Sequence, residues 1–466
     1  LHVTDRSSAS WAGYSAFSGN AAIRDGGALS ILHASTASGI GQTTFADNAA
    51  DGSGGAVRVT NRSGMTWAEE TNFSHNAALI EGGALYISGE SSLSGSGRTT
   101  FSQNTAGAGG GALNVVDGGE VSLEGDTAFA GNFAGTDGGA VRLYFEGIAS
   151  WNGNTDFDSN TASASGGALF LEAHSNASCI GNTTFSRNVA LSYGGAQFLL
   201  DESSFFSAGK TSFVEDVAES SGGALYITDG SSTAWEGWTT FSGNTAKSDD
   251  GGAMYVGRGS SAFWESAALF STNRAGREGG AVFVDDGSDV FWSGETQFFN
   301  NTAVTGSGGA VLVAGASTVQ WVAETGFTSN VAGSDGGAIA SRVLRSGEYS
   351  RRSLSTAEES RLIVAGQTMF AENSCGGKGG GLVMLGGLSA AFVALGIIFV
   401  GNDAAVAGGG VFISSTGEGP VFTNATFMYN NAQSGGGVYA TGSGTSMDTD
   451  GELLPTTFEG CMFIGN

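Results

Sequence analysis

The stretch Phe73-Ser-His-Asn76-Ala-Ala-Leu-Ile-Glu81-Gly82-Gly83-Ala84-Leu85 decides the fold. It holds two tetrapeptides, Phe-x-x-Asn and Gly-Gly-Ala-apolar, and both recur along the chain. Phe-x-x-Asn begins at Phe17, Phe45, Phe73, Phe101, Phe129, Phe157, Phe185, Phe213 and Phe241, always 28 residues apart. It continues at Phe270, Phe298, Phe327, Phe370, Phe399, Phe427 and Phe463, which makes 16 copies. Asp216 replaces Asn in the eighth. The second motif follows most copies, as at Gly26-Gly27-Ala28-Leu29, Gly222-Gly223-Ala224-Leu225 and Gly336-Gly337-Ala338-Ile339. A fixed period of this length marks a repeat architecture.

Between the motifs lie alternating segments such as Trp151-Asn-Gly153-Asn-Thr155-Asp-Phe157. Trp, Gly, Thr and Phe share one parity, so one face of a strand carries them. Such a unit cannot bury its apolar face alone, but stacked units can. The period predicts an all-β chain. It predicts a right-handed parallel β-helix of about 16 coils, each of 28–29 residues with three short strands. Phe would stack from coil to coil, and Asn would bond its equivalents at a turn. The expected ladder includes Phe45 with Asn48, Phe73 with Asn76, Phe101 with Asn104 and Phe129 with Asn132. It continues through Phe157 with Asn160, Phe185 with Asn188 and Phe241 with Asn244. Thr stands two residues before Phe in 11 of the 16 copies and should face inward with it.

Composition agrees. Of 466 residues, 80 are Gly and 2 are Pro, while Phe, Tyr and Trp make up 10%. Collagen would need Pro, and a disordered linker would lack the aromatics. Strands that donate every N–H to a neighbouring coil exclude Pro. The net charge of −26 argues against nucleic acid or an anionic membrane as partner. Three cysteines (Cys179, Cys375, Cys461) make no disulfide framework, though Cys375 and Cys461 could pair.

The two tetrapeptides resemble the signature of the chlamydial polymorphic membrane protein repeat, and the resemblance covers about residues 11–466. It implies a β-helix displayed at a cell surface, often with an adhesive role. The chain starts and stops within repeats, so residues 1–466 are read as one continuous β-helix belonging to a longer protein, or pairing end to end.

Three departures from the period stand out. Residues 341–365 form an Arg-rich insertion with Arg342, Arg345, Arg351, Arg352 and Arg361, either a partner loop or a solvated excursion. Residues 441–457 form an acidic loop with Asp448, Asp450 and Glu452. Leu382–Val400 carries no charge, yet Phe399 keeps the repeat, so it reads as a coil rather than a membrane span.

Candidate sites are few. Asp25, Glu81, Asp137, Asp250, Glu278 and Asp335 precede Gly pairs; they could gather Ca²⁺ or simply be spaced at turns. No other cofactor is implied. Asn61, Asn72, Asn176, Asn182, Asn300 and Asn424 open sequons that would carry glycans in a secretory pathway. The four His (His2, His33, His75, His174) show no metal-ligand spacing. The adjacent pairs Asp249-Asp250 and Asp285-Asp286 could only weakly supply acid/base chemistry. The expected function is therefore a non-enzymatic structural or adhesive β-helix rod, extracellular or at a cell surface. Its partners would be surface or extracellular proteins or glycans. The alternative is a polysaccharide-active lyase or hydrolase.

Overall fold

The computed structural model describes residues 1–342, 360–385, 394–415, 420–442 and 456–466. Among these residues every regular element is a β-strand, and the fold is a parallel β-solenoid. The chain forms two compact units. The first comprises Leu1–Glu219, Ala224–Tyr226 and Gly230–Gly237; the second comprises Ser220–Gly223, Ile227–Asp229 and Trp238–Asn466.

A coil of the first unit runs through Leu85–Ile87, Ser92–Gly95, Thr99–Ser102 and Thr105–Ala106. We call these the Gly-Gly-Ala, Trp, Phe and short strands. Each pairs with its equivalents in the coils before and after, parallel and without offset: Leu85 with Leu113, Phe101 with Phe129, Ala78 with Ala106. The sequence predicts three strands per coil, and the structure has four. The additional strand has two residues directly after the Asn corner, too few to show alternation.

Zero offset stacks like on like. The rings of Phe101, Phe129 and Phe157 lie 4.8 Å apart and within 4° of parallel. Asn104 is fully buried, and its backbone N–H and Nδ2 both donate to Asn132 Oδ1 at 3.0 Å. Its Nδ2 also donates to the Phe73 carbonyl at 3.0 Å. Asn48 makes the same three bonds two rungs earlier. Its backbone N–H and Nδ2 donate to Asn76 Oδ1 at 3.1 and 2.9 Å, and Nδ2 reaches the Phe17 carbonyl at 2.9 Å. The residue before each Asn takes the left-handed conformation, as at Gln103 (φ 53°) and Ser159 (φ 56°). Thr faces inward with Phe, and Thr99 Oγ1 accepts a bond from Trp67 Nε1 at 3.0 Å. The Trp indoles lie over glycines of the following coil, Trp11 over Gly39 and Trp67 over Gly95. At the Gly-Gly corner, a Cβ on Gly83 would collide with the Gly111 carbonyl. Backbone there meets backbone, which excludes every larger residue.

The second unit repeats this plan as far as the Trp strand Arg361–Val364; after it Ala394–Leu395, Val421–Thr423 and Thr457–Glu459 form a separate sheet, and Asp403–Ala407 shifts register against Asn431–Ser434 between Ala404 and Ala407. Phe241 stacks on Phe270 at 4.8 Å. Asn244 donates to Asn273 Oδ1 from its backbone N–H at 3.1 Å and from Nδ2 at 3.0 Å. Phe270, Phe298, Phe327, Phe370, Phe399 and Phe427 stack at 4.6–5.0 Å. Trp264, Trp292 and Trp321 stack at 5.0 Å. The Arg-rich insertion enters between the Gly-Gly-Ala strand Ile339–Arg342 and the Trp strand Arg361–Val364. Arg361 pairs with Thr318 and Phe370 with Phe327, so the coil resumes in register. Arg345, Arg351 and Arg352 lie outside the described residues, as do Asp448, Asp450 and Glu452. Leu382–Val400 contributes the strands Leu382–Leu385, Ala394–Leu395 and Ile397–Val400. No helix among the described residues is long and apolar enough to cross a membrane.

Two glycines of one sheet separate inward from outward positions. Gly95→Ala drives a methyl into the Trp67 indole and is expected to cost about 1–3 kcal/mol. Gly64→Ala meets nothing closer than Ser92 Oγ at 3.7 Å and should stay within about 0.5 kcal/mol. Urea unfolding followed by Trp fluorescence compares them; equal losses would contradict the indole-over-glycine packing.

Candidate functional site: the outer corners and walls

The ladder residues expected from the sequence are all buried. These are Phe45, Phe73, Phe101, Phe129, Phe157, Phe185 and Phe241, with Asn48, Asn76, Asn104, Asn132, Asn160, Asn188 and Asn244. Being interior, they position the walls rather than meet a ligand. Asn48 and Asn244 thus belong to the hydrogen-bonded frame, and neither contributes to an outer site. The outer chemistry concentrates where the Gly-Gly corner passes the next Gly-Gly-Ala strand. Its second residue points outward: Arg58, Tyr86, Asn114, Arg142, Phe170 and Phe198 in the first unit. The acids before the Gly pairs face these residues.

Arg58 Nη1 meets Asp25 Oδ2 at 2.5 Å, and Arg142 Nη1 meets Glu81 Oε1 at 2.8 Å. In the second unit Arg277 pairs with Asp250, and Arg342 with Glu278 at 2.7 Å. The carboxylates also accept backbone N–H groups of the following coil. Ser53 donates to Asp25 at 2.8 Å, Ser165 to Asp137 at 3.0 Å and Lys378 to Asp335 at 2.8 Å. Burial raises the Asp137 carboxyl above its ordinary range, opposed by that backbone bond and by Arg142. Among the described residues no three His, Cys, Asp or Glu side chains gather as a metal-binding group.

The paired aspartates are separated in role. Asp250 is buried against Arg277, whereas Asp249 accepts the Ser220 hydroxyl at 2.7 Å. Burial pushes Asp285 up to about 7, against a 3.0 Å bond from the Tyr255 hydroxyl. His33 lies 3.6 Å from Asp5, and His174 lies 3.5 Å from Glu202, both at exposed turns. His75 occupies an exposed left-handed turn position. All three cysteines are free.

Of the sequon residues, Asn61, Asn176, Asn182, Asn300 and Asn424 are exposed at the surface. Asn72 is half-buried and accepts the Thr100 hydroxyl. Arg342 belongs to the corner pair with Glu278, and Arg361 is exposed at the start of its strand.

Sequence reasoning missed the outward columns. Phe170, Phe198 and Tyr226 stack at 5.1–5.2 Å, and the Arg142 guanidinium lies 4.6 Å over the Tyr144 ring. In the second unit Tyr255 stacks on Phe283, and Phe412 on Tyr439. The signal was present: apart from Tyr144, these residues stand two places after the third residue of the Gly-Gly-Ala or Gly-Gly-Gly motif. The outer face of the Phe strands also changes character. It carries Thr100, Ser102, Thr184 and Ser186 in the first unit, but exposed Met369, Ile398, Met462 and Ile464 in the second.

The Arg142 pair is partly screened, since its side chains remain 15% and 24% exposed. A double-mutant cycle of Arg142→Gln and Glu81→Gln should give a coupling of about 0.5–3 kcal/mol. Additive effects in urea unfolding would contradict a corner held by this pair.

The model of the Chlamydia polymorphic membrane protein repeat matches residues 98–115, which span Phe101, Asn104 and Gly110-Gly111-Ala112-Leu113. No curated protein and no solved structure matches the chain. The matched repeat and the parallel β-solenoid together support a β-helix repeat protein of the polymorphic-membrane-protein type.

Proposed function

We propose that this protein is a non-enzymatic structural or adhesive solenoid, working outside the cell or at its surface. The observation that carries this reading is the contrast between a constant interior and variable outer walls. The corner carboxylates are engaged in holding coils: Asp25, Glu81, Asp250 and Glu278 by arginines, Asp137 and Asp335 by backbone. Groups engaged in this way serve the stacking of coils. Recognition of a protein or glycan falls to the walls and to the Arg-rich insertion.

The insertion gives the cleanest test. Because the coil resumes in register at Arg361, removing residues 343–359 should preserve the β-strand circular dichroism and the thermal transition. Labelled full chain is expected to bind intact cells or an array of surface glycans, and the shortened chain to bind at least tenfold less. Equal binding by both would move recognition to the walls. Release of unsaturated or reducing sugars from polysaccharides would support the enzyme reading instead. Intact mass before and after glycosidase treatment of natively produced protein is expected to show glycans on the exposed sequons; an unmodified mass would contradict this.

A further inference from the structure

The Asn ladder of the first unit contains one residue that cannot do what the others do. At each ordinary rung the amide Nδ2 donates twice. Asn160 Nδ2 donates to Asn188 Oδ1 at 3.0 Å and to the Phe129 carbonyl at 3.0 Å. Asn188 Nδ2 donates to Asp216 Oδ1 at 2.9 Å and to the Phe157 carbonyl at 2.9 Å. The Asn188 backbone N–H adds a third bond to Asp216 Oδ1 at 2.8 Å.

Asp216 receives bonds as any ladder Asn does, but it has an oxygen where the others have NH₂. The same 31-residue step back from position 216 leads to the Phe185 carbonyl. An ionised carboxylate is acceptor-only and would set lone pairs against the acceptors of the ladder. A protonated carboxyl restores one donor. We infer that Asp216 is a proton-dependent joint: its carboxyl fills the donor's place only while it carries a proton, and the rung loosens when the proton leaves.

The surroundings agree. Asp216 is fully buried, and burial pushes its carboxyl up to about 8 even though bonds from Asn188 and the Val214 backbone favour the charged form. Asp158 is a charged neighbour that raises it further and is itself paired with Arg187 at 2.5 Å. Glu215, beside it in the chain, is exposed in the left-handed turn position. Asn188 and the Phe185 backbone are neutral.

The direction of the pH effect follows. The unfolded carboxyl releases its proton near 3.8, the folded one near 8. Between these values the folded chain holds a proton that the unfolded chain has lost. The contribution is therefore complete below about pH 4, falls about tenfold in equilibrium constant per pH unit, and is gone above about pH 8.

Asp216→Asn restores the common ladder residue and should fold. Hydrogen exchange on the full chain, read over a peptide covering residues 183–218, compares the two proteins at pH 6 and pH 8. After correction for intrinsic exchange, native protection is expected to drop about 50-fold more than that of Asp216→Asn. A peptide covering residues 99–132 should respond alike in both. At pH 8 the variant should exchange more slowly than the native chain. An identical pH response over 183–218, faster exchange in the variant at pH 8, or an equal drop over 99–132 would each overturn the inference.

Discussion

Everything in this molecule depends on zero-offset hydrogen bonding between coils. A parallel strand whose neighbour is its own repeat must place each residue beside its equivalent, about 4.8 Å away. Any side chain at a given position is then forced against another of its kind. Phe satisfies this by stacking, and Asn by bonding to the next Asn. Glycine satisfies it where backbone meets backbone, at Gly83 against Gly111. A charged residue cannot, because like charges would stack. Its place is outside, where it pairs with an opposite charge on another coil, as Glu81 does with Arg142.

This constraint explains what could be read in advance. The repeat interval is a direct image of the coil, so the Phe and Asn positions and the inward Thr were legible from spacing alone. Asn48 and Asn244, far apart in the chain, make the same paired bonds to the next Asn. The short strand at Thr105–Ala106 was not legible, since two residues carry no periodicity. The corner ion pairs were also hidden. Glu81 and Arg142 are 61 residues apart, and Glu278 and Arg342 are 64 apart. Neither distance is a multiple of the repeat, because the acid sits on a corner and the arginine on a Gly-Gly-Ala strand two coils further on. Asp216 was visible as a departure from the motif, but its consequence needed the observation that each rung donates twice.

The same constraint divides the molecule into a repeated task and a free one. Inward positions must repeat, whereas outward positions only have to avoid stacking like charges. Hence the outer Phe wall of the first unit mixes Thr100 and Ser102 with Ala128, Ala130, Asp156 and Asp158, while Met369, Ile398, Met462 and Ile464 are exposed on that of the second. An insertion costs the fold little when it enters between strands. The rings of Phe327 and Phe370 remain 4.9 Å apart although 43 residues separate them. A scaffold of this kind can vary its surface without renegotiating its core.

The central claim is that equivalent residues of successive coils lie side by side. Disulfide formation between engineered cysteines tests it most directly. Ser94 and Ser122 are outward-facing register partners, whereas Ser150 is one coil further on. In a Cys461→Ser background, Ser94→Cys with Ser122→Cys should oxidise readily within one chain, since adjacent parallel strands bring Cα atoms into disulfide range. Ser94→Cys with Ser150→Cys, roughly twice that distance apart, should remain reduced. Oxidation of the second pair in preference to the first would contradict the stacking on which the whole account rests.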